Sequence, residues 1–147
     1  MKTIAFIGGG NMASALIGGL IKSGAAADSI LVVDPGEAQR ATLRANFGVR
    51  TLAVADASLA AAALLVWAVK PQLFQAAAAP CAAHVGTALH LSVMAGIRSE
   101  TIARACGLAL DACASAVAPA NVASASCLPW AALKPMSRAA CVMASMK

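Results

Sequence analysis

The sequence predicts an α/β fold: a doubly wound, open parallel sheet with helices on both faces. Three observations predict it. Short β-rich runs alternate with helical runs from Thr3 to Arg104. The β-rich runs are continuously apolar, as strands covered on both faces are. The turns between runs are short, so successive strands must be parallel and joined by right-handed helical crossovers.

Thr3–Ile7 is the first strand, ended by Gly8-Gly9-Gly10. Asn11 to Lys22 places Met12, Leu16, Ile17, Leu20 and Ile21 on one helical face, and Ser23-Gly24 stops that helix. Ile30–Val33 is the second strand, closed by Asp34-Pro35-Gly36. A helix follows from Glu37 to Phe47 and stops at Gly48. Val49–Leu52 is a short third strand, and Leu64–Val69 a fourth that Pro71 closes. Gln72 to Ala79 reads as a short helix and Ala88–Val93 as a fifth strand, ending at Met94-Ala95-Gly96. Ser99 is placed to cap a last short helix through Arg104. Ligands of such sheets bind beyond the carboxyl ends of the strands. The turns at Gly10, Lys70 and Gly96 are therefore expected on one sheet edge.

Composition narrows the class. The chain has 147 residues, 61% of them hydrophobic and 3% aromatic, with a net charge of +5. Alanine supplies much of the apolar content, so the core must rest on Leu, Ile and Val. The apolar run Ala57–Val69 falls short of the roughly 20 residues a membrane span needs. Lys2 precedes an apolar segment that the glycines interrupt at once, unlike a signal peptide, so the expected location is cytoplasmic. Basic residues are scattered without aromatic interleaving, which argues against nucleic acid. The 5 cysteines form no Cys-x-x-Cys pair, and His84 and His90 stand alone, so no metal site is expected.

The sharpest motif is Ile7-Gly8-Gly9-Gly10-Asn11-Met12-Ala13. It fits G-x-G-x-x-A directly after a strand and at the start of a helix, the Rossmann-like arrangement. Gly8 permits the tight turn, Gly10 lets a pyrophosphate approach the backbone, and Ala13 keeps helix and strand close. The helix start offers amide donors to the phosphates. Asp34 ends the second strand at about the 20-residue spacing of an acid that bonds the adenosine ribose. It equally reads as a plain turn and helix cap before Glu37. Arg40, one turn further on, stands where it could meet a 2′-phosphate instead. Lys70 lies between Val69 and Pro71 at the end of the fourth strand, facing the expected cleft.

Four segments in succession resemble pyrroline-5-carboxylate reductases. They are Ala5 to Ala13, Asp34-Pro35-Gly36-Glu37, Ala68-Val69-Lys70-Pro71-Gln72 and Ser92-Val93-Met94-Ala95-Gly96-Ile97. The resemblance runs over residues 1–106. It implies reduction of 1-pyrroline-5-carboxylate to L-proline with NADPH or NADH. It also implies a cofactor site at Ile7, Gly8, Gly9, Gly10, Asn11, Met12, Asp34, Ala68, Val69, Lys70, Pro71, Ala95 and Gly96. Full-length family members are oligomeric. No catalytic acid is assigned. F420-dependent reductases and enzymes of 3-hydroxy acids share the Gly-x-Gly-x-Met opening, but Ala-Val-Lys-Pro-Gln argues against them. The other alternative is a nucleotide-binding remnant without catalysis.

The sequence also departs from that family. The Met-Pro-Asn-Thr-Pro segment expected after the fifth unit is missing; Ala118-Pro119-Ala120-Asn121-Val122 stands nearest to it. The family's C-terminal helical domain has no counterpart. Ala63 occupies the neighbourhood of an acid that usually precedes the fourth strand, and Asp56 that of an Asn that contacts the ribose. Residues 107–147 are rich in Ala, Ser and Cys and poor in acids. They read as an irregular or partly helical tail, either from a truncated or frame-shifted gene, the favoured origin, or a true replacement. Pro119, Pro129 and Pro135 divide the tail, large apolar groups are sparse, and no sixth strand is expected.

Overall fold

The computed structural model describes residues 2–85, 87–108 and 112–115. Its elements are β1 (Thr3–Ile7), α1 (Asn11–Lys22), β2 (Ile30–Val33), α2 (Glu37–Phe47), β3 (Arg50–Leu52), β4 (Ala62–Trp67), α3 (Phe74–Ala82), β5 (Leu89–Ser92), α4 (Ser99–Cys106) and β6 (Cys113–Ser115). The sheet has six strands in the order β3-β2-β1-β4-β5-β6. Every pairing is parallel. The chain starts in the middle, winds out to β3, returns across β1 and winds out the other way. The fold is the doubly wound, Rossmann-like one.

The apolar runs are continuous because the two faces of each strand feed different cores. Phe6, Ile30, Val32 and Val66 pack with Ala13 and Ile17 of α1 and Leu43 of α2. Their neighbours in sequence, Ala5, Ile7, Leu31, Val33, Leu65 and Trp67, face the other way, into a core shared with Phe74 and Ala78 of α3 and Ile102 and Cys106 of α4. A strand with one solvated face would have alternated.

Several boundaries differ from those expected. β4 begins at Ala62 and ends at Trp67 rather than running from Leu64 to Val69. The cause is its partner: Trp67 pairs with Ile7, the last residue of β1, and beyond it Ala68 makes one last bond, from its amide to the Ile7 carbonyl. The apolar segment before β4 forms a 3-10 turn at Ala57–Ala61, capped by the Asp56 carboxylate, which accepts from the Ser58 amide at 2.8 Å. That bond holds the Asp56 carboxyl below its usual range. Helix α3 starts at Phe74 after a 3-10 turn and continues through Pro80, past the expected end at Ala79. One missing N–H donor is tolerated there because Phe74, Ala78 and Cys81 anchor the buried face. Ser99 lies inside α4; the cap position is Arg98, with no side-chain bond.

The sixth strand corrects the expectation that none follows Gly107. β6 pairs with β5, His90 opposite Cys113 and Ser92 opposite Ser115. The unpaired edge of β5 is the template, and a strand that adds to it needs no strong β pattern of its own. The expectations for the remainder of the 107–147 tail fall on 109–111 and 116–147, outside the described residues.

Candidate functional site

The carboxyl edge of the sheet is where the sequence motifs meet. In register, Val33, Ile7, Trp67 and Ser92 form one row across β2, β1, β4 and β5. Three backbone bonds tie the turns leaving that row: Gly8 N–H to Val33 O (2.8 Å), Ala68 N–H to Ile7 O (2.8 Å) and Val93 N–H to Trp67 O (3.1 Å). The turns bearing Gly10, Asp34, Lys70 and Gly96 therefore lie side by side on one edge.

The three glycines of the first turn do three different things. Gly8 has φ +97°, and an added Cβ would sit 2.7 Å from the Ala68 carbonyl oxygen. The turn after β1 thus passes directly against the turn after β4. At Gly9, a Cβ would come within 2.8 Å of Leu43 on α2. Gly10 is different. Its φ of −66° is open to any residue, and a Cβ there meets nothing within 4 Å. Nothing inside the fold requires glycine at position 10. Gly10 caps α1, and its exposed turn leads into exposed Asn11 and Met12. Ala13 behind them is fully buried against the sheet.

Asp34 anchors this turn. Its Oδ2 accepts from the Gly9 amide and its Oδ1 from the Gly36 amide, each at 2.7 Å. Gly36, not Asp34, is the cap residue of α2. Arg40 is 8% exposed, donates from Nη1 to the Asp34 carbonyl at 2.7 Å, and pairs through Nη2 with Glu37. Gln39, which sequence reasoning missed, donates from Nε2 to the Gly9 carbonyl and so braces the same turn from α2. Its signal was its place in the first turn of the helix that follows Asp34.

The turn after β4 carries half-buried Ala68 and Val69, then exposed Lys70 and half-buried Pro71. Lys70 caps the 3-10 turn that Pro71 opens. After β5, the Ser92 hydroxyl accepts from the buried Met94 amide at 3.2 Å, which sets the course of exposed Ala95 and Gly96. Ser92 is a second positioning residue the sequence did not disclose. Ile7 is buried and forms the floor. The thirteen expected positions thus lie at the end of β1, in the turns after β1, β2, β4 and β5, and at the start of α1. Asp56 lies in the next turn, after β3.

Behind the row lies a polar pair in an apolar setting. Trp67 Nε1 donates to His90 Nδ1 at 3.1 Å, and Phe74 meets the Trp67 ring edge-on. Burial pushes the His90 pKa down to about 4, so the ring is neutral. Burial likewise raises the thiol of Cys81 to about 12 and that of Cys106 to about 11. These are packing groups, not nucleophiles. No cluster of three or more metal-ligating side chains occurs among the described residues.

A family model described as "NADP oxidoreductase coenzyme F420-dependent" matches residues 3–96. The chain belongs to that family. The chain is 43% identical over 102 residues to a pyrroline-5-carboxylate reductase of Haemophilus influenzae, covering 69% of this chain and 37% of that protein. The enzyme of the same name from Vibrio alginolyticus is 39% identical over 102 residues, 38% of its length. The chain therefore spans less than two fifths of these curated relatives. Among solved structures, a pyrroline-5-carboxylate reductase of Coxiella burnetii superposes with a TM-score of 0.64 at 28% identity, over 72% of this chain and 40% of that one.

Proposed function

We propose that this chain is the nicotinamide-dinucleotide half of a pyrroline-5-carboxylate reductase, working in the cytoplasm on NADPH or NADH. The observation that carries the reading is Gly10. A side chain there would strain nothing in the protein, so the demand for an open position comes from what lies against it. A pyrophosphate over the Gly10–Met12 amides, at the positive end of α1, meets that demand.

The other residues then take roles by position. Gly8 and Gly9 bring the turn close to β4 and α2. Asp34 and Gln39 fix Gly9 from either side, through its amide N–H and its carbonyl. Ala68 to Pro71, with Ala95 and Gly96, border the half of the cleft beyond β1, where the nicotinamide end lies if the adenosine is at β2. Lys70 adds the only cation among the proposed site residues, suited to hold a negatively charged group of cofactor or substrate. When bound, the cofactor would supply a hydride to an imine carbon, and solvent the proton that the ring nitrogen takes to give L-proline. The protein's part is orientation.

Titrating the 147-residue chain with NADPH and NADH, followed by nicotinamide fluorescence, tests the reading. Saturable binding is expected, and Gly10→Val is expected to abolish it while the circular dichroism spectrum stays unchanged. Binding that survives Gly10→Val would remove the phosphate from this turn.

A further inference from the structure

Resting on that dinucleotide reading, we infer that the site selects the cofactor without a 2′-phosphate, NADH over NADPH, through Asp34 and the sequestered Arg40. In doubly wound sheets the adenosine ribose lies at the end of β2, where an acid bonds its 2′-hydroxyl or an arginine receives a 2′-phosphate. Here both residue types are present, and the geometry separates their availability.

Each Asp34 oxygen accepts a single backbone amide. A carboxylate has room for about four such bonds, so each oxygen keeps a lone pair for a ribose hydroxyl. Arg40 has no comparable freedom. Its guanidinium is bonded to the Asp34 carbonyl and to Glu37, and its side chain is only 10% exposed. Arg44, the next cation along α2, is also bonded to Glu37, at 3.2 Å, and sits a further turn from the edge.

The neighbouring loops add no positive charge. The Gly8–Met12 turn is uncharged, and the segment after β3, Ala53 to Asp56, contributes only an acid. Lys70 follows β4, which the sheet order places on the far side of β1 from β2. A 2′-phosphate brings a charge of about −1.5 to −2 at pH 7. It would meet the Asp34 carboxylate, while Arg40 beside it is buried and bonded to the Asp34 carbonyl and to Glu37. The preference runs against the family's description as NADP oxidoreductases, which makes it a property of these residues in this chain.

The test uses ADP-ribose and 2′-phospho-ADP-ribose, which lack the nicotinamide and report binding by calorimetry without any turnover. ADP-ribose is expected to bind at least tenfold more tightly at low salt, with the gap narrowing as ionic strength rises. Glu37→Gln removes one acid and frees Arg40 Nη2, and should shrink the ratio several-fold; Glu37 is an exposed side chain whose loss the fold tolerates. Equal affinities, or tighter binding of the 2′-phospho form, would overturn the inference and leave the dinucleotide site standing. Binding of neither ligand would overturn both.

Discussion

At Gly8 the chain has no freedom to accept a side chain, and at Gly10 it has every freedom. A Cβ on Gly8 would press on a backbone carbonyl of the neighbouring turn, in a φ region where L-residues are strained by about 1–3 kcal/mol. Gly8→Ala is therefore expected to destabilise the protein by about 3 kcal/mol, counting the displaced Ala68 peptide. Gly10→Ala should stay within about 0.5 kcal/mol of the parent. Urea titrations of the two variants check this, and equal losses would mean that the open cleft at Gly10 is wrong. The motif was legible in the sequence, but the division of labour within it was not. Spacing marks all three glycines alike, and only the approach of Ala68 and Leu43 tells them apart. The same holds for Asp34 and Arg40. Both readings of Asp34 suit the sequence, and the structure shows its carboxylate accepting from the Gly9 and Gly36 amides, so it braces the Gly turn.

At the scale of elements, the pairing of β4 with β5 carries a proton-sensitive contact. His90 Nδ1 accepts from Trp67, so the neutral ring holds its proton on Nε2, a buried atom with no bond partner. Charging this ring would place a cation among Trp67, Phe74 and the α3–α4 core. Its folded pKa of about 4 lies below the ordinary histidine value of 6.5, so the unfolded chain takes up the proton first as pH falls. The stability present above pH 6.5 is then lost progressively down to pH 4, by up to about 3–4 kcal/mol from this group. His90→Phe should flatten that part of the stability profile relative to the parent, measured by urea melts at pH 7, 5.5 and 4.5. Parallel profiles would show that His90 titrates normally. Strands and helices themselves were readable because their apolar runs match two-sided burial. Their ends were less so. β4 stops where β1 stops, a fact about its partner that its own residues do not carry. The turn at Ala57–Ala61 hid inside an apolar run because Asp56, not hydrophobicity, makes it.

Across the whole molecule, the strand order places the glycine turn that follows β1 near the centre of the sheet, with β2 and β3 on one side and β4, β5 and β6 on the other. That the turns at Gly10, Lys70 and Gly96 share one edge followed from parallel crossovers; the strand order itself did not. Nor did the sixth strand. Cys113-Ala114-Ser115 has no periodic apolar pattern and gains its strand conformation from the edge of β5. Without it, β5 would be an edge strand, with His90 and Leu91 beside unpaired backbone groups. Its weight can be measured with Ala114→Pro, which removes a backbone donor and fixes φ in the middle of β6. Loss of ladder bonds at about 0.5–1.5 kcal/mol each should lower the melting temperature by several degrees. Amide exchange at Leu89–Ser92 should speed up, while Thr3–Ile7, two strands inward, keeps the protection of the global unfolding reaction. Unchanged exchange in β5 would mean that β6 adds nothing to the sheet and that the stable unit closes with α4.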